Sequence, residues 1–460
     1  MESRRISYRL LAAIAAIATL LLVVAACGGG EEAAAPAAEP APATTEAAPP
    51  ATTEAAPPAT TEAAPPAETE GAAPVGGIVD SVEVAGAGTI YADPTKNDPT
   101  VIAKAIEQED WAFPVNFTDC DAADTQKEGC NPKAGEIPGV YTPLPVSEIT
   151  QPWNICMSFP HLKDAYWVAS NYGGYAEAVR DKIKWQLVEA GGYTNLSKQL
   201  SQLDNCVAQG AQAVIIGGIS YDGLNAKLQE FIDNGVIVID LINGMSNPNI
   251  QAHSLLTYYK MGAKAGEYLC SLNQPGINVG WFPGPPGAGW VESSDAGFKD
   301  AIAKCADNVK ILDTKFGDTG KDVQLGLVEN ALETFPDMNF IAGTAVTAEA
   351  AVAALEERGL TDKIKVVADY LIPTTFDFIK SGKIACAPTD QNPMQSRISV
   401  DEAVRLLEGK PLVSGFAKER VEPNAELVCG PASGDRDNLA TFVFGATFAP
   451  EDFKPTFTAG

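Results

Sequence analysis

Short apolar runs alternate with amphipathic segments along the chain from Trp153 onward. The runs are four to eight residues long, rich in β-branched side chains and bounded by Gly or Asp. This pattern is typical of buried strands in a parallel sheet. The predicted strands cover residues 155–159, 213–216, 236–240, 277–282, 309–316, 340–343, 364–368 and 384–387.

Segments with helical periodicity lie between these runs, and several stop at a glycine such as Gly210 or Gly235, a residue that readily ends a helix. The predicted helices lie near 175–190, 196–209, 221–234, 260–272, 292–306, 322–335, 348–358, 373–380 and 393–408. Residues 193–217 show the unit most clearly, because an amphipathic helix there leads into a buried strand. The repeated strand–helix order predicts a doubly wound α/β fold, and about 380 residues suffice for two such lobes.

The first 76 residues predict export and tethering rather than a folded domain. Three arginines precede an apolar run over 10–24 that is too short for a stable membrane span, so residues 1–26 are predicted to be a signal peptide. Small residues before Cys27 and a glycine triplet after it resemble a bacterial lipobox, which predicts lipidation of Cys27 and attachment to the cell membrane; a free or disulfide-bonded Cys27 is the alternative.

Residues 27–76 contain three copies of Ala-Thr-Thr-Glu-Ala-Ala-Pro-Pro and no aromatic residue. Such a segment cannot bury enough apolar surface to offset backbone ordering, at about 1–2 kcal/mol per residue. We expect a disordered tether that reaches up to roughly 140 Å. Residues 77–150 show little periodicity and are predicted to be an N-terminal extension of unassigned role.

The formal net charge is −27, and no Lys or Arg lies between Arg9 and Lys96. An acidic chain without a basic stripe is a poor binder of nucleic acid.

Nine cysteines less Cys27 leave eight in an exported chain, for which disulfides are the default and 105 pairings exist. Cys120 with Cys130 is the best local candidate, followed by Cys386 with Cys429. No Cys-x-x-Cys occurs, which disfavours zinc and redox sites.

Several segments carry a family resemblance that covers about residues 150–430. Besides residues 193–223, they are Trp-Phe-Pro-Gly-Pro-Pro-Gly-Ala-Gly-Trp at 281–290, Gly-Asp-Thr-Gly-Lys at 317–321, Gly-Thr-Ala-Val-Thr-Ala-Glu-Ala-Ala at 343–351 and Ala-Cys-Ala-Pro-Thr-Asp at 385–390. In these segments the chain resembles the TorT-like periplasmic binding proteins, within the type I, ribose-binding-like superfamily. The resemblance implies two doubly wound parallel-sheet lobes joined by a three-crossing hinge. It also implies an extracytoplasmic protein that captures a small molecule, trimethylamine N-oxide in the TorT case, and reports to a membrane partner.

The resemblance sets the expected lobe boundaries. The first lobe is expected over 151–256 and 370–412, and the second over 257–369 and 413–460. The hinge is then expected near Tyr258, Tyr370 and Pro411.

The ligand of such proteins lies between the lobes, at the carboxyl ends of the strands. In TorT-like proteins the first loop contributes to an aromatic cage, which suits a trimethylammonium group because ring faces attract a cation at about 0.5–2 kcal/mol per contact. The predicted ligand-binding residues are Asp164, Tyr166, Trp167, Tyr193, Tyr258 and Tyr370. Asp164 either contacts ligand or caps a helix, and Tyr166 and Trp167 are placed in a polar loop. Second-rank candidates are Trp281 and Trp290, which either line the cleft or pack beneath it, and Asp390.

Two other function classes remain to be weighed. A sugar-binding component of an ABC importer is the alternative, but two guanidinium clamps expected for a polyol are missing. Leu241 follows Asp240 at the end of its strand, and the helix after Trp290 offers Ser293 and Ser294 but no Arg. Catalysis is not expected, because neither His161 nor His253 lies in a nucleophile or metal motif, and no cofactor or metal is predicted. The membrane partner is expected to be a sensor histidine kinase or an ABC permease.

Overall fold

The computed structural model describes residues 77–121, Cys130 and residues 135–460. The predicted signal peptide, Cys27 and the predicted tether lie outside the described residues. Within the described part, no helix is long and apolar enough to cross a membrane.

The described residues form seventeen strands and eleven α-helices. The strands are β1 Ser81–Val84, β2 Gly88–Tyr91, β3 Phe113–Asp119, β4 Ile137–Tyr141, β5 Asn154–Phe159, β6 Lys184–Glu189, β7 Ala213–Ile216, β8 Ile237–Leu241, β9 Ala252–Ser254, β10 Ile277–Gly284, β11 Val309–Phe316, β12 Phe340–Gly343, β13 Lys365–Ala368, β14 Cys386–Thr389, β15 Glu419–Pro423, β16 Glu426–Cys429 and β17 Thr458–Ala459. The helices are α1 Pro99–Ala105, α2 Ala165–Asp181, α3 Leu196–Ala208, α4 Asn225–Asp233, α5 Tyr258–Ser271, α6 Gly289–Ala303, α7 Lys321–Thr334, α8 Ala345–Arg358, α9 Pro373–Lys380, α10 Asn392–Leu407 and α11 Phe444–Thr447.

The first lobe is built on a nine-stranded sheet in the order β17-β6-β5-β7-β8-β9-β15-β3-β4. Strands β5 to β9 run parallel, and β15 joins β9 in parallel, whereas β3, β4 and β17 pair in the antiparallel sense. The segment predicted as an extension therefore completes this sheet, because β3 and β4 add two strands to it.

The second lobe is built on a parallel sheet in the order β11-β10-β12-β13, beside an antiparallel ribbon of β14 and β16. Buried residues of the ribbon, such as Cys386 and Cys429, share one apolar cluster with Trp281 of β10. Two layered lobes with parallel central strands confirm the predicted fold class.

The lobe boundaries differ from the sequence-based ones. The chain crosses between lobes after β9, between β14 and α10, and between β15 and β16, and its C-terminal end returns to pair β17 with β6. The second and third crossings thus lie near Asp390 and Asn424 rather than at Tyr370 and Pro411. Strands β15 and β17 belong to the first sheet although 413–460 was assigned to the second lobe. Such long-range strand pairing leaves no mark in local periodicity.

Two local predictions also need correction. The helix expected near 175–190 instead spans Ala165–Asp181 and is followed by strand β6, in which buried Trp185 and Leu187 alternate with more exposed neighbours. Asp164 begins this helix, since its carboxylate accepts a hydrogen bond from the Trp167 amide. Tyr166 and Trp167 therefore lie in the first helical turn and not in a loop.

Four disulfides join the eight cysteines of the described residues. Both predicted pairs, Cys120–Cys130 and Cys386–Cys429, are confirmed. The other two link a strand to a helix, Cys156–Cys206, and helix α5 to the end of α6, Cys270–Cys305.

Candidate functional site

A small cavity lies between the lobes, where the carboxyl ends of the parallel strands meet. All six residues predicted to bind ligand line it, together with Trp290, one of the second-rank candidates, and two residues that were not predicted. The lining residues are Asp164, Tyr166, Trp167, Tyr193, Asn243, Tyr258, Trp290, Thr319 and Tyr370.

Each lining residue follows the end of a strand of one lobe or the other. Asp164, Tyr166 and Trp167 lie at the start of α2 after β5, and Tyr258 and Trp290 lie at the starts of α5 and α6 after β9 and β10. The remaining residues lie in loops after β6, β8, β11 and β13. This arrangement is the general one for ligand sites in open parallel sheets.

Six aromatic rings enclose the cavity. The ring centroids of Tyr166 and Tyr370 are 5.1 Å apart and those of Tyr258 and Trp290 are 5.3 Å apart. Trp290 also lies 6.2 Å from Tyr193 and 6.3 Å from Tyr370, so it touches three of the four tyrosines. The hydroxyl groups of Tyr166 and Tyr258 are hydrogen-bonded at 2.6 Å. The rings therefore form one continuous wall contributed by both lobes.

Two carboxyl groups, those of Asp164 and Asp390, lie in or beside this wall. Burial raises the pKa of Asp164 to about 6, against its ordinary value of 3.8, and hydrogen bonds from the amides of α2 oppose the shift. Burial likewise raises the pKa of Asp390 to about 6, although its carboxylate accepts a 3.4 Å hydrogen bond from the Tyr258 hydroxyl. None of the nine described residues that line the cavity is a Lys, Arg or His.

The mouth of the cavity is closed by contacts between the lobes. The ammonium group of Lys163 lies 3.0 Å from a carboxylate oxygen of Asp318. Beside it, Nε2 of His161 lies 3.0 Å from the Thr319 hydroxyl, and burial, followed by the positive charge of Lys163, lowers the pKa of His161 to about 4. The cavity is only ≈ 10 Å³ in this closed state, about the room that one water molecule needs.

The other second-rank candidates lie outside the cavity lining. The ring of Trp281 stacks on Phe298 with centroids 3.9 Å apart, and its indole N–H donates to Asp295 at 2.9 Å, so Trp281 packs within the second lobe. Asp390 supports the wall from behind through Tyr258.

Asn243 and Thr319 were missed by the sequence reasoning. Asn243 follows β8, and its amide donates to the Tyr193 hydroxyl at 3.0 Å and to the Gly218 carbonyl at 2.8 Å. Thr319 follows β11 within the Gly-Asp-Thr-Gly segment. Both residues lie just past the end of a strand, which is the signal that could have identified them. They were not selected because neither is aromatic.

Among the described residues, no group of three His, Cys, Asp or Glu side chains could hold a metal ion. His253 is buried and paired with Asp240 at 2.9 Å, away from the cavity lining.

Residues 155–411 match the family model described as "Periplasmic binding protein domain", which is more than half of the chain. The chain belongs to this family of periplasmic binding proteins. It is a periplasmic solute-binding protein of the TorT and sugar-binding type.

Similar periplasmic binding proteins fall into both groups. The periplasmic protein TorT of Escherichia coli K12 is 32% identical over 308 residues, which cover 66% of this chain and 84% of TorT. The D-ribose/D-allose-binding protein of Pseudomonas aeruginosa is 24% identical over 60% of this chain and 89% of its own length. The Pseudomonas relative is named as a binding protein.

Two solved structures of periplasmic binding proteins extend the comparison. An ABC transporter solute-binding protein from Bradyrhizobium sp. BTAi1, solved with bound bis-tris, is 44% identical, with a TM-score of 0.61 over 75% of this chain and 98% of the other. A complex of the TorS sensor domain with TorT, solved in the presence of TMAO, contains a chain that is 28% identical, with a TM-score of 0.57 over 66% of this chain and 99% of the other.

Proposed function

We propose that this chain is an extracytoplasmic, lipid-anchored receptor that captures a small methylated amine or amine N-oxide between its lobes and presents it to a membrane partner. One observation carries the proposal: six aromatic rings and no basic side chain line the interlobe cavity.

A methylated ammonium group suits such a wall for physical reasons. Its methyl groups donate no conventional hydrogen bond, while ring faces attract the positive charge at about 0.5–2 kcal/mol per good contact. The buried carboxyl groups of Asp164 and Asp390 add further attraction for a cation once they are ionised.

An N-oxide oxygen needs hydrogen-bond donors, and the cavity supplies candidates. The indole N–H of Trp290 is buried beside the Tyr193 hydroxyl but makes no hydrogen bond of ordinary geometry within the described residues. The tyrosine hydroxyls are further donors, because burial holds their pKa values above the ordinary 10 and keeps them protonated.

The relatives support the same ligand chemistry. The TorS–TorT complex was solved in the presence of TMAO, and the Bradyrhizobium protein holds bis-tris, which is a tertiary amine that also carries hydroxyl groups.

The small size of the closed cavity bears on how capture would work. A ligand of several heavy atoms does not fit into ≈ 10 Å³, so the lobes must separate at the Lys163–Asp318 contact before it enters. The rings then close around the ligand rather than on one another. A membrane partner that prefers one lobe arrangement would detect the shift in population.

Calorimetry with several ligands tests the proposal on residues 77–460. We expect trimethylamine N-oxide or tetramethylammonium to bind more tightly than ribose or xylose, because the cavity offers ring faces and lacks guanidinium forks for hydroxyl groups. Tighter binding of either sugar would overturn the proposal.

The pH dependence of binding separates the two amine classes. Between about pH 5 and about pH 7.5 the ionised fraction of a carboxyl group with a pKa near 6 rises roughly tenfold. Tetramethylammonium, whose charge is fixed, is expected to bind more tightly as Asp164 and Asp390 ionise, whereas binding of the net-neutral N-oxide depends less on pH.

The free energy of unfolding of the unliganded protein should fall as the pH rises over the same range. The two carboxyl groups have raised pKa values in the folded protein and keep their protons there, whereas in the unfolded chain they release them near pH 4.

Sugar binding for an ABC importer is the second candidate. It is favoured by the D-ribose/D-allose-binding relative, and Asp164, Asn243 and Thr319 offer polar contacts for hydroxyl groups. For an amine ligand the membrane partner is a sensor histidine kinase or a permease that imports the amine. For a sugar ligand it is an ABC permease.

The lipid anchor has its own test. Replacing Cys27 by Ser removes the thiol that would carry the lipid, so the variant is expected to move from the membrane fraction to the soluble extracytoplasmic fraction. Immunoblots of fractionated cells measure this, with Cys156→Ser/Cys206→Ser as a control that removes cysteines but keeps Cys27. A Cys27→Ser protein that stays with the membranes would refute the anchor.

A further inference from the structure

A second cavity lies behind the crossings, away from the aromatic wall. It measures ≈ 30 Å³, and we call it the back cavity. Its walls include Phe113 and Pro114 of β3 in the first lobe, and Thr389 of β14, which lies in the second lobe. Most of its lining comes from residues outside the 155–411 family match, from both the N-terminal and C-terminal segments.

Three polar atoms of the lining residues have no hydrogen-bond partner among the described residues. They are the hydroxyl oxygen of Thr389, the amide oxygen of Gln391 and the amide nitrogen of Asn424. Thr389 is 1% exposed and Gln391 is 8% exposed, so water on the outer surface scarcely reaches them. Buried polar groups are normally paired, so each unpaired one requires an explanation.

The backbone here is also held in an uncommon conformation. Gln391 has φ +54°, in the left-handed region that a non-glycine residue rarely adopts. Non-glycine residues in this region concentrate at functional sites. The conformation brings Gln391 to the start of α10.

Residues 389–392 contact both the aromatic wall and the back cavity. Thr389 and Gln391 line the back cavity, whereas Asp390 between them accepts a hydrogen bond from Tyr258 of the front wall. The amide of the next residue, Asn392, donates to the Tyr166 carbonyl. These contacts place the crossing against both cavities.

We propose that the back cavity binds a small neutral molecule with an amide or urea group, and that its binding favours closed lobes. The three unpaired atoms require at least one acceptor and one donor on the ligand, which a single amide group supplies. A volume of ≈ 30 Å³ is room for about two or three water molecules, or some four heavy atoms. Because the cavity has walls from both lobes behind the hinge, opening the front would compress it, so an occupant opposes opening.

The experiment titrates acetamide into the full chain, with acetone as a probe that accepts but does not donate hydrogen bonds. Ligand-observed NMR measures binding, and a pair of labels at the exposed positions Val179 and Val323, one in each lobe, reports the lobe separation. We expect acetamide to bind more tightly than acetone. We also expect it to shorten the distance between the labels when no ligand occupies the cavity inside the aromatic wall.

Three variants sharpen the test. Thr389→Val keeps the shape but removes one hydrogen bond and is expected to weaken acetamide binding by about fivefold. Asn424→Leu keeps the branched shape but removes the amide donor, and it should weaken binding by a similar factor. Thr441→Val is the matched control, an exposed threonine outside the lining, and should leave binding unchanged.

Several results would overturn the inference. They are absence of acetamide binding, equal binding by wild type and Thr389→Val, unchanged label separation at saturation, or a crystal grown with acetamide that shows only ordered water in the back cavity.

Discussion

Replacing Asp401 by Asn is expected to lower the free energy of unfolding by about 3–5 kcal/mol, the usual result when one partner of a buried ion pair is removed. Asp401 on α10 is fully buried, and its carboxylate accepts hydrogen bonds from the Tyr141 hydroxyl at 2.7 Å and the Leu144 amide at 2.6 Å. It also pairs with the guanidinium of Arg405 at 2.6 Å.

The loss is large because Asp401 neutralises a charge that would otherwise remain buried. Arg405 donates its other hydrogen bond to the Thr142 carbonyl, so the pair attaches the segment after β4 to the first lobe. An asparagine would leave the guanidinium without the carboxylate that pairs with it directly and would present an amide N–H to one of the present donors. Urea denaturation followed by circular dichroism measures the change.

A surface pair in the same region provides the matched control. Glu148 and Lys410 also join the N-terminal segment to the chain after α10, at 2.6 Å, but their side chains are 45% and 40% exposed. Glu148→Gln is expected to cost less than about 1 kcal/mol. Equal losses in the two variants would show that Asp401 contributes no more than an exposed carboxylate.

Trp167→Ala is expected to raise the dissociation constant of the preferred amine by at least about tenfold, equivalent to ~1–2 kcal/mol. The Trp167 ring contributes one face of the aromatic wall, and its centroid lies 5.6 Å from that of Tyr166 and 4.7 Å from that of Phe159. Calorimetry measures the affinity, and circular dichroism verifies that the variant is folded.

Trp281→Ala is the control, because Trp281 is equally buried but packs on Phe298 away from the cavity. Both variants lose packing and therefore stability, by about 3–5 kcal/mol for a buried Trp, but only Trp167→Ala should lose affinity. If affinity is unchanged in Trp167→Ala, or falls equally in both, Trp167 serves packing and the proposed cage is wrong.

The fold was predictable from the sequence wherever an element is long and periodic. Helix α9 was predicted with its observed bounds, and α3 and α10 were each placed to within one residue, because Gly210 and Gly409 mark where the latter two end. Strand β6 was mistaken for a helix, since its alternation spans only six residues beside the genuinely helical α2. Strands β15 and β17 could not be assigned, because their partners lie far away in the sequence.

The candidate site was predicted largely through chemistry at strand ends. Six aromatic or acidic residues chosen there lie around one cavity, although they come from both lobes. Trp281 was a weaker candidate because it lies within β10, where successive side chains point to opposite faces of the sheet, and its ring packs inside the second lobe. Asn243 and Thr319 were missed, since a single polar residue after a strand carries little information by itself.

The pairing of Thr458–Ala459 with β6 has a practical consequence. These last residues occupy backbone donors and acceptors that would otherwise form an open margin of the nine-stranded sheet, the kind of template on which foreign strands add. Removing the final dozen residues for crystallisation would expose this edge of the sheet and favour oligomers that form by strand pairing along it. An affinity handle for purification is therefore better fused upstream of Gly77 than after Gly460.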